Sequence, residues 1–211
     1  MRPFGDEELL QRARELRGIL ATRRSVRSFD PRPIPLDVVQ SCIDAAASAP
    51  SGANMQPWSF VLVQDPAVKR AIREASEAVE KEFYARKISE EWKSRLAPLR
   101  TGPQKPFLEE APYLVCVFVQ RHGIDAAGQK ITHYYPLESV GIATGLLIAS
   151  LHLLGISTLT YTPSPMGFLT ELLRRPPGER PFMILVVGYP RAGYEPPPLA
   201  RKGRDGYLTV V

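Results

Sequence analysis

The chain has 211 residues, 44% hydrophobic and 23% charged, with 27 Lys+Arg against 22 Asp+Glu and a formal net charge of +5. That length predicts a single domain, residues 1–211, burying roughly 70% of the surface its unfolded form exposes. Acids mixed among the basic residues argue against nucleic acid as partner and favour anionic small molecules.

The N-terminus, MRPFGDEELLQRARELRG, carries acids where a signal peptide needs an apolar core. Leu9, Ala13, Leu16 and Leu20 recur at helical spacing, so an amphipathic first helix is expected to deliver the stretch RRSVR (Arg23 to Arg27) at its end. A second helix is expected from about Leu36 to Ala47, with Val39, Cys42, Ile43 and Ala46 facing inward. Pro50, Gly52 and Pro57 then force a loop. WSFVLVQ (Trp58 to Gln64) reads as a buried strand, and Asp65-Pro66 as the cap and first turn of a helix running past Tyr84. A further helical piece contains Trp92, and the Pro103 to Pro106 stretch must be irregular.

YLVCVFVQ (Tyr113 to Gln120) is a continuous apolar strand, STLTYT from Ser157 another, and FMILVVGY (Phe182 to Tyr189) a fourth. The apolar segment from Leu137 to Leu154 is interrupted by Glu138, His152 and small polar residues, which favours a helix buried on most sides over a membrane span. Helices alternating with wholly apolar strands predict an α/β or α+β layer with both sheet faces covered. After Gly188, Pro190 and Pro196 to Pro198 make a stiff arm, about 190–211, ending in the β-prone YLTVV; an exchanged strand in a homodimer is its natural destination. Cys42 and Cys116 sit in apolar patterns and are expected as buried, reduced thiols of a cytoplasmic protein. His122, His133 and His152 have no metal-ligand spacing, so no metal is expected.

Three stretches carry chemistry. A dianionic phosphate needs forked donors and hydroxyls, which Arg23, Arg24, Ser25 and Arg27 offer within five residues, and Arg201 could close the same clamp. SAPSGANMQPW (Ser48 to Trp58) puts Gly52 between Ser51 and Ala53, where backbone can approach a planar ligand, while Ser48, Ser51, Asn54 and Gln56 supply donors and acceptors. TYTP (Thr160 to Pro163) is the third. Taken singly, each has a bland explanation: arginines favour a helix end, and a glycine loop is an ordinary turn. No GxGxxG follows a strand, so a Rossmann-type dinucleotide site is not supported.

In combination, RRSVR, PSGANMQPW, TYTP and GYP resemble the nitroreductase superfamily of FMN flavoproteins from about Thr22 to Val211. The resemblance implies an α+β fold, a central mixed sheet flanked by helices, and an intertwined homodimer with C-terminal arm exchange and two FMN sites at its interface. By position, Arg23, Arg24, Ser25, Val26, Arg27 and Arg201 would hold the FMN phosphate and nearby groups. Ser51 and Gly52 would lie along the flavin, with Thr160, Tyr161 and Thr162 on its far side.

Glu80 and Tyr84 stand four apart and share a face if helical, and Lys105 follows the second helical piece. A carboxylate for an ammonium, with a lysine and a phenol for a carboxylate, would hold a free amino acid by its invariant end; a solvated helix face is the plainer alternative. EKEFY, the tryptophan, LRTGPQK and the HYY of His133 to Tyr135 resemble the iodotyrosine deiodinase family within the superfamily. That resemblance implies that Glu80, Tyr84 and Lys105 grip the zwitterion and order a lid at about 78–108. It also implies that the Ala53 backbone meets the substrate phenolate, and that Thr162, the catalytic position, donates to flavin N5 and favours one-electron steps. The reaction implied is FMN-dependent reductive dehalogenation of halotyrosines, with electrons from NAD(P)H or a partner reductase. Tyr161 departs from the family's TTT pattern, and the proline-rich lid departs as well. The alternatives are a broad nitroaromatic or quinone reductase, which needs an open flavin face and no clamp, and a non-enzymatic flavin or amino-acid sensor.

Overall fold

The computed structural model describes residues 4–99, 101–124 and 127–211, and at residue 87 the backbone alone. Arg100, within the LRTGPQK stretch, lies outside the described residues.

The helices are α1 (Asp6–Ala21), α2 (Leu36–Ala47), α3 (Pro66–Glu82), α4 (Glu90–Leu96), α5 (Phe107–Glu110), α6 (Pro136–Leu153) and α7 (Phe168–Leu172). The strands are β1 (Phe29–Asp30), β2 (Trp58–Val63), β3 (Tyr113–Gln120), β4 (His122–Ile124), β5 (Lys130–Thr132), β6 (Ser157–Tyr161) and β7 (Glu179–Pro190). β7 is the longest, and it organises a five-stranded sheet. β3 lies along one edge of it and carries β2 beyond, while β6 and then β1 pair with the other edge. These pairs are all antiparallel; among the described residues parallel pairing is confined to a bridge between Ser25 and Thr158, which tethers the RRSVR stretch to β6.

Because side chains alternate across a strand, the wholly apolar β3 and β7 feed two cores. Val115, Val117, Leu185 and Val187 pack under α2 and α6, against Val39, Cys42, Ala143 and Leu147. Leu114, Cys116, Ile184 and Val186 face the other layer, against Ile72 of α3, Leu108 of α5 and Leu169 of α7. Both cysteines are free and buried, and burial pushes the Cys116 thiol up to about 12.

α1 forms as its spacing predicts and delivers RRSVR at its end, but buries no residue: Leu9, Leu16 and their neighbours Leu10 and Ile19 are exposed. One expectation of burial needs correction. α6 buries Val140, Ala143, Leu147 and Leu151, but Leu137, Ile142, Leu146 and Leu153 are exposed; the apolar residues run all round the helix while one side alone meets the sheet and α2. Although α6 has the length and apolar composition of a membrane span, it packs within the fold against α2, β2, β3 and β6. Within the single chain YLTVV forms no strand, and Tyr207 to Val211 are exposed.

The helix after Asp65 begins as expected: the Asp65 carboxylate accepts from the amides of Ala67 and Val68, and Pro66 occupies the first turn. It does not run unbroken past Tyr84. Residues Phe83–Lys87 widen into a π-helical turn before the chain leaves for α4. The β4–β5 hairpin, α5 and α7 are too short to give a periodic signal in the sequence.

Candidate active site

Two adjoining cavities open beside the end of β6. The larger, of about 630 Å³, is lined by Glu80, Tyr84, Lys105, Phe107 and residues 159–165. The smaller, of about 180 Å³, is lined by Arg23, Arg24, Ser25, Arg27 and Arg201 together with the proline arm. Arg27 and Leu99 belong to both walls, so the two are neighbours.

The smaller cavity gathers the RRSVR stretch with an arginine from the other end of the chain. Arg201 donates to the carbonyls of Ala21 and Arg23, and Arg24 to that of Pro197, so the arm is strapped across the end of α1. Burial, then the nearby charges of Arg201 and Arg24, lower the Arg23 pKa. Four guanidinium groups crowded around one recess favour an anion as their common partner. Val26 turns its side chain into the core and donates its amide to Thr158 O, so neither group is offered to the recess it was expected to line. Tyr194, which the sequence does not single out, fixes the loop: its hydroxyl accepts from the Arg27 amide at 3.1 Å and donates to Ser25 O at 3.4 Å.

In the larger cavity the three expected clamp residues meet. Glu80 lies near the end of α3, Tyr84 in the π-helical turn, and Lys105 in the proline-rich approach to α5. Lys105 Nζ is 3.4 Å from Glu80 Oε2 and also 3.4 Å from Thr101 Oγ1. The Tyr84 hydroxyl donates to Thr101 O at 3.5 Å. Burial lowers the Lys105 pKa, against the opposing pull of Glu80, while burial and the Glu80 charge raise that of Tyr84. A neutral phenol and a cation therefore flank one carboxylate in a recess large enough for an amino acid.

The scaffold behind the clamp was not visible in the sequence. The Lys105 amide donates to Glu77 Oε1 at 2.8 Å; Glu77 pairs with Arg73, which in turn pairs with Glu109 of α5. Lys69, buried, donates to the carbonyls of Glu109 and Ala111. Their spacing reads as an ordinary charged helix, and only the fold turns them toward α5.

Thr160, Tyr161 and Thr162 line the larger cavity where β6 ends. Thr160 and Thr162 are exposed, whereas the Tyr161 ring is buried, edge-on to Phe107, with its hydroxyl 3.1 Å from Glu80 Oε1.

Ser51, Gly52 and Ala53 line neither cavity. They form a tight turn at the start of α6, where Ala53, Asn54 and Gln56 all adopt left-handed conformations. The Gly52 amide donates to Ser139 Oγ, and a Cβ at Gly52 would come within 2.4 Å of Tyr134 O. Only glycine fits so close to another backbone.

The model of the nitroreductase family matches residues 20–189. The iodotyrosine deiodinase of Haliscomenobacter hydrossis is 45% identical over 207 residues, covering 98% of this chain and 93% of that protein. Iodotyrosine deiodinase 1 of Rattus norvegicus is 40% identical over 209 residues, covering 99% of this chain and 73% of its own length. Among solved structures, oxidized iodotyrosine deiodinase bound to FMN and 3-iodo-L-tyrosine superposes with a TM-score of 0.79 at 33% identity, covering 93% of this chain and 97% of that one.

Proposed function

This chain belongs to the nitroreductase family, and from that premise we propose that it is an FMN-dependent oxidoreductase that removes halide reductively from halotyrosines, releasing tyrosine. The observation that carries the substrate reading is the Glu80–Lys105 pair, withdrawn from water inside a cavity with Tyr84 on its rim. A charged pair so placed is costly unless a ligand uses it, and a free amino acid presents the complementary two charges.

The residues present fit FMN. The Arg23, Arg24, Arg27 and Arg201 recess suits its phosphate, with Ser25 adding a hydroxyl. Thr160 and Thr162, exposed where β6 ends in the neighbouring cavity, are proposed to border the ring with the Tyr161 main chain between them, and the Thr162 hydroxyl is the candidate donor to its N5 edge. When bound, FMN supplies the two electrons that, with one proton, replace the carbon–halogen bond by carbon–hydrogen and release halide.

The protein's part is binding and orientation. Glu80 accepts the substrate ammonium, Lys105 and Tyr84 turn to its carboxylate, and the segment from Phe83 through Leu99 closes over the ring and excludes water. The Ala53 main chain is proposed to receive the phenolate. Since Ser51 to Ala53 line neither cavity of their own chain, a second copy is the source of that wall, and we propose a homodimer. The exposed apolar faces of α1 and α6 and the exposed end of the arm support it. NAD(P)H or a reductase partner is the proposed source of electrons.

The assay is anaerobic incubation of the chemically reduced, FMN-loaded protein with 3-iodotyrosine. Stoichiometric iodide and tyrosine are expected; the absence of both rejects the reading. A broad nitroaromatic or quinone reductase would need no clamp, and its turnover would be indifferent to Glu80.

A further inference from the structure

Lys105 and Tyr84 come from the segments proposed to close over the substrate, but Glu80 has a third neighbour that does not. Tyr161 is the last residue of β6, its main chain in register with Ile184 of β7 and its ring packed against Phe107 at a centroid distance of 5.6 Å and 83°. Its hydroxyl donates to Glu80 Oε1 at 3.1 Å, while Lys105 takes Oε2. Each carboxylate oxygen thus has its own partner, one from the sheet and one from the approach to α5.

When an amino-acid zwitterion enters, Lys105 is drawn to the incoming carboxylate, leaving Glu80 to face the ammonium with Tyr161 as its remaining protein partner. A glutamate near a helix end has several rotatable bonds, and without an anchor it can swing out to water. Tyr161 supplies that anchor from the sheet. Burial, then the charge of Glu80, push its phenol well above the usual tyrosine range, so the group remains a donor and the carboxylate remains the acceptor. Ser76, one turn before Glu80 on α3, buries its Oγ close to the same phenol without a hydrogen bond of normal geometry, so it does not replace Tyr161 in this role.

We propose that Tyr161 is a positioning residue for substrate selection: by holding Glu80 Oε1 it fixes the ammonium acceptor of the clamp, and preference for an α-amino acid over a halophenol depends on its hydroxyl. This inference rests on the halotyrosine reading, and the threonine expected here by resemblance would be too short to make the contact.

The test titrates FMN-loaded wild-type and Tyr161→Phe protein with 3-iodotyrosine, with its deaminated analogue 3-(4-hydroxy-3-iodophenyl)propionate, and with 2-iodophenol, following the flavin absorbance. Phenylalanine keeps the ring against Phe107 and removes only the hydroxyl. We expect 3-iodotyrosine to bind roughly tenfold more weakly, with the other two ligands changed by less than about twofold. Turnover should show a raised KM for 3-iodotyrosine, which accounts for most of the fall in kcat/KM. In a Glu80→Gln background the same substitution should cost much less.

An unchanged 3-iodotyrosine affinity, or an equal loss for all three ligands, overturns the assignment. Should the variant fail to fold, the crystal structure of the wild-type complex with 3-iodotyrosine decides. There the Tyr161 hydroxyl must stay within about 3.2 Å of the Glu80 carboxylate while Lys105 contacts the substrate; a phenol turned away from Glu80 overturns the proposal. Failure of the function reading looks different, because wild type itself would then bind 3-iodotyrosine no better than 2-iodophenol.

Discussion

Lys105 Nζ lies 3.4 Å from Glu80 Oε2, and the two side chains are only 4% and 14% exposed. Such a pair is weak evidence for stability, because desolvation offsets much of the attraction, but removing one member leaves the other stranded. Glu80→Gln keeps the shape and strands the lysine cation. Affinity for 3-iodotyrosine should fall by about 2 kcal/mol or more, a loss of at least roughly thirtyfold. Reduction of a small nitroaromatic by the same variant should be nearly unchanged, since that substrate has no ammonium to place. Parallel titration and turnover measurements check both halves.

The same lysine sets a pH dependence. Burial outweighs Glu80 and lowers the Lys105 pKa from its ordinary value of 10.5. Between the lowered folded value and 10.5 the unfolded chain binds the proton that the folded chain has released, so this group makes stability rise with pH across that window. Below it, the full penalty of a buried cation is present. Lys105→Met removes this pH-dependent penalty at the cost of stranding the Glu80 carboxylate, so the difference in stability from wild type should be most favourable to the variant near neutral pH and move toward wild type as pH approaches 10.5. Denaturant midpoints of the two proteins measured across that range test the sign.

Gly52 has no room for a side chain. A Cβ would sit 2.4 Å from Tyr134 O, a backbone atom at the entry to α6 that cannot step aside as a flexible side chain would. Gly52→Ala should destabilise the protein by about 1–3 kcal/mol and displace the turn that holds Ser51 and Ala53. Thermal unfolding reports the first effect. Loss of bound flavin at unchanged protein concentration reports the second.

The apolar strands and the Asp65-Pro66 cap were legible because burial on both faces and capping are written in contiguous residues. So was the meeting of Glu80, Tyr84 and Lys105, though for the last residue only through resemblance, since the 20 residues of chain between Tyr84 and Lys105 carry no local rule for their approach. The anchors were not legible. Tyr194 reaches back to Ser25 and Arg27, and Glu77 to the Lys105 amide, across separations at which a tyrosine or a helix-face glutamate looks like any other. Nor does helical spacing say what covers an apolar face: the stripe of α1 was legible, but not that it lies open in the single chain.

Arg201 ties the arm to the phosphate recess, donating to Ala21 O and Arg23 O while lining the cavity itself. Arg201→Ala removes one of four guanidinium groups and loosens the carbonyl end of α1. Flavin affinity should drop by roughly 1.5–3 kcal/mol, the range for a charge-assisted hydrogen bond. Mutual repulsion in the recess also falls, because Arg201 is one of the charges that lower the Arg23 pKa. The apoprotein should therefore lose less stability than the flavin-loaded protein. Fluorescence recovery of released FMN, set beside the unfolding midpoints of both forms, separates these contributions.

The arm should also set the oligomeric state. Tyr207 and Val210 are 71% and 85% exposed at its end, although tyrosine and valine are residues that strands bury. An exposed apolar terminus following a stiff proline segment gains from a surface that receives it, and the open faces of α1 and α6 on a second copy offer one. Deleting residues 207–211 leaves the Arg201 contacts in place but removes several apolar side chains, each contributing about 1.5 kcal/mol or more when fully buried. Sedimentation should find wild type as a dimer and the truncated chain dissociating at least roughly thirtyfold more readily, a change of about 2 kcal/mol. Flavin should be lost in step with the dimer, because the Ser51 to Ala53 wall would leave with the second copy. A wild-type monomer that retains flavin would refute both the exchange and the shared site.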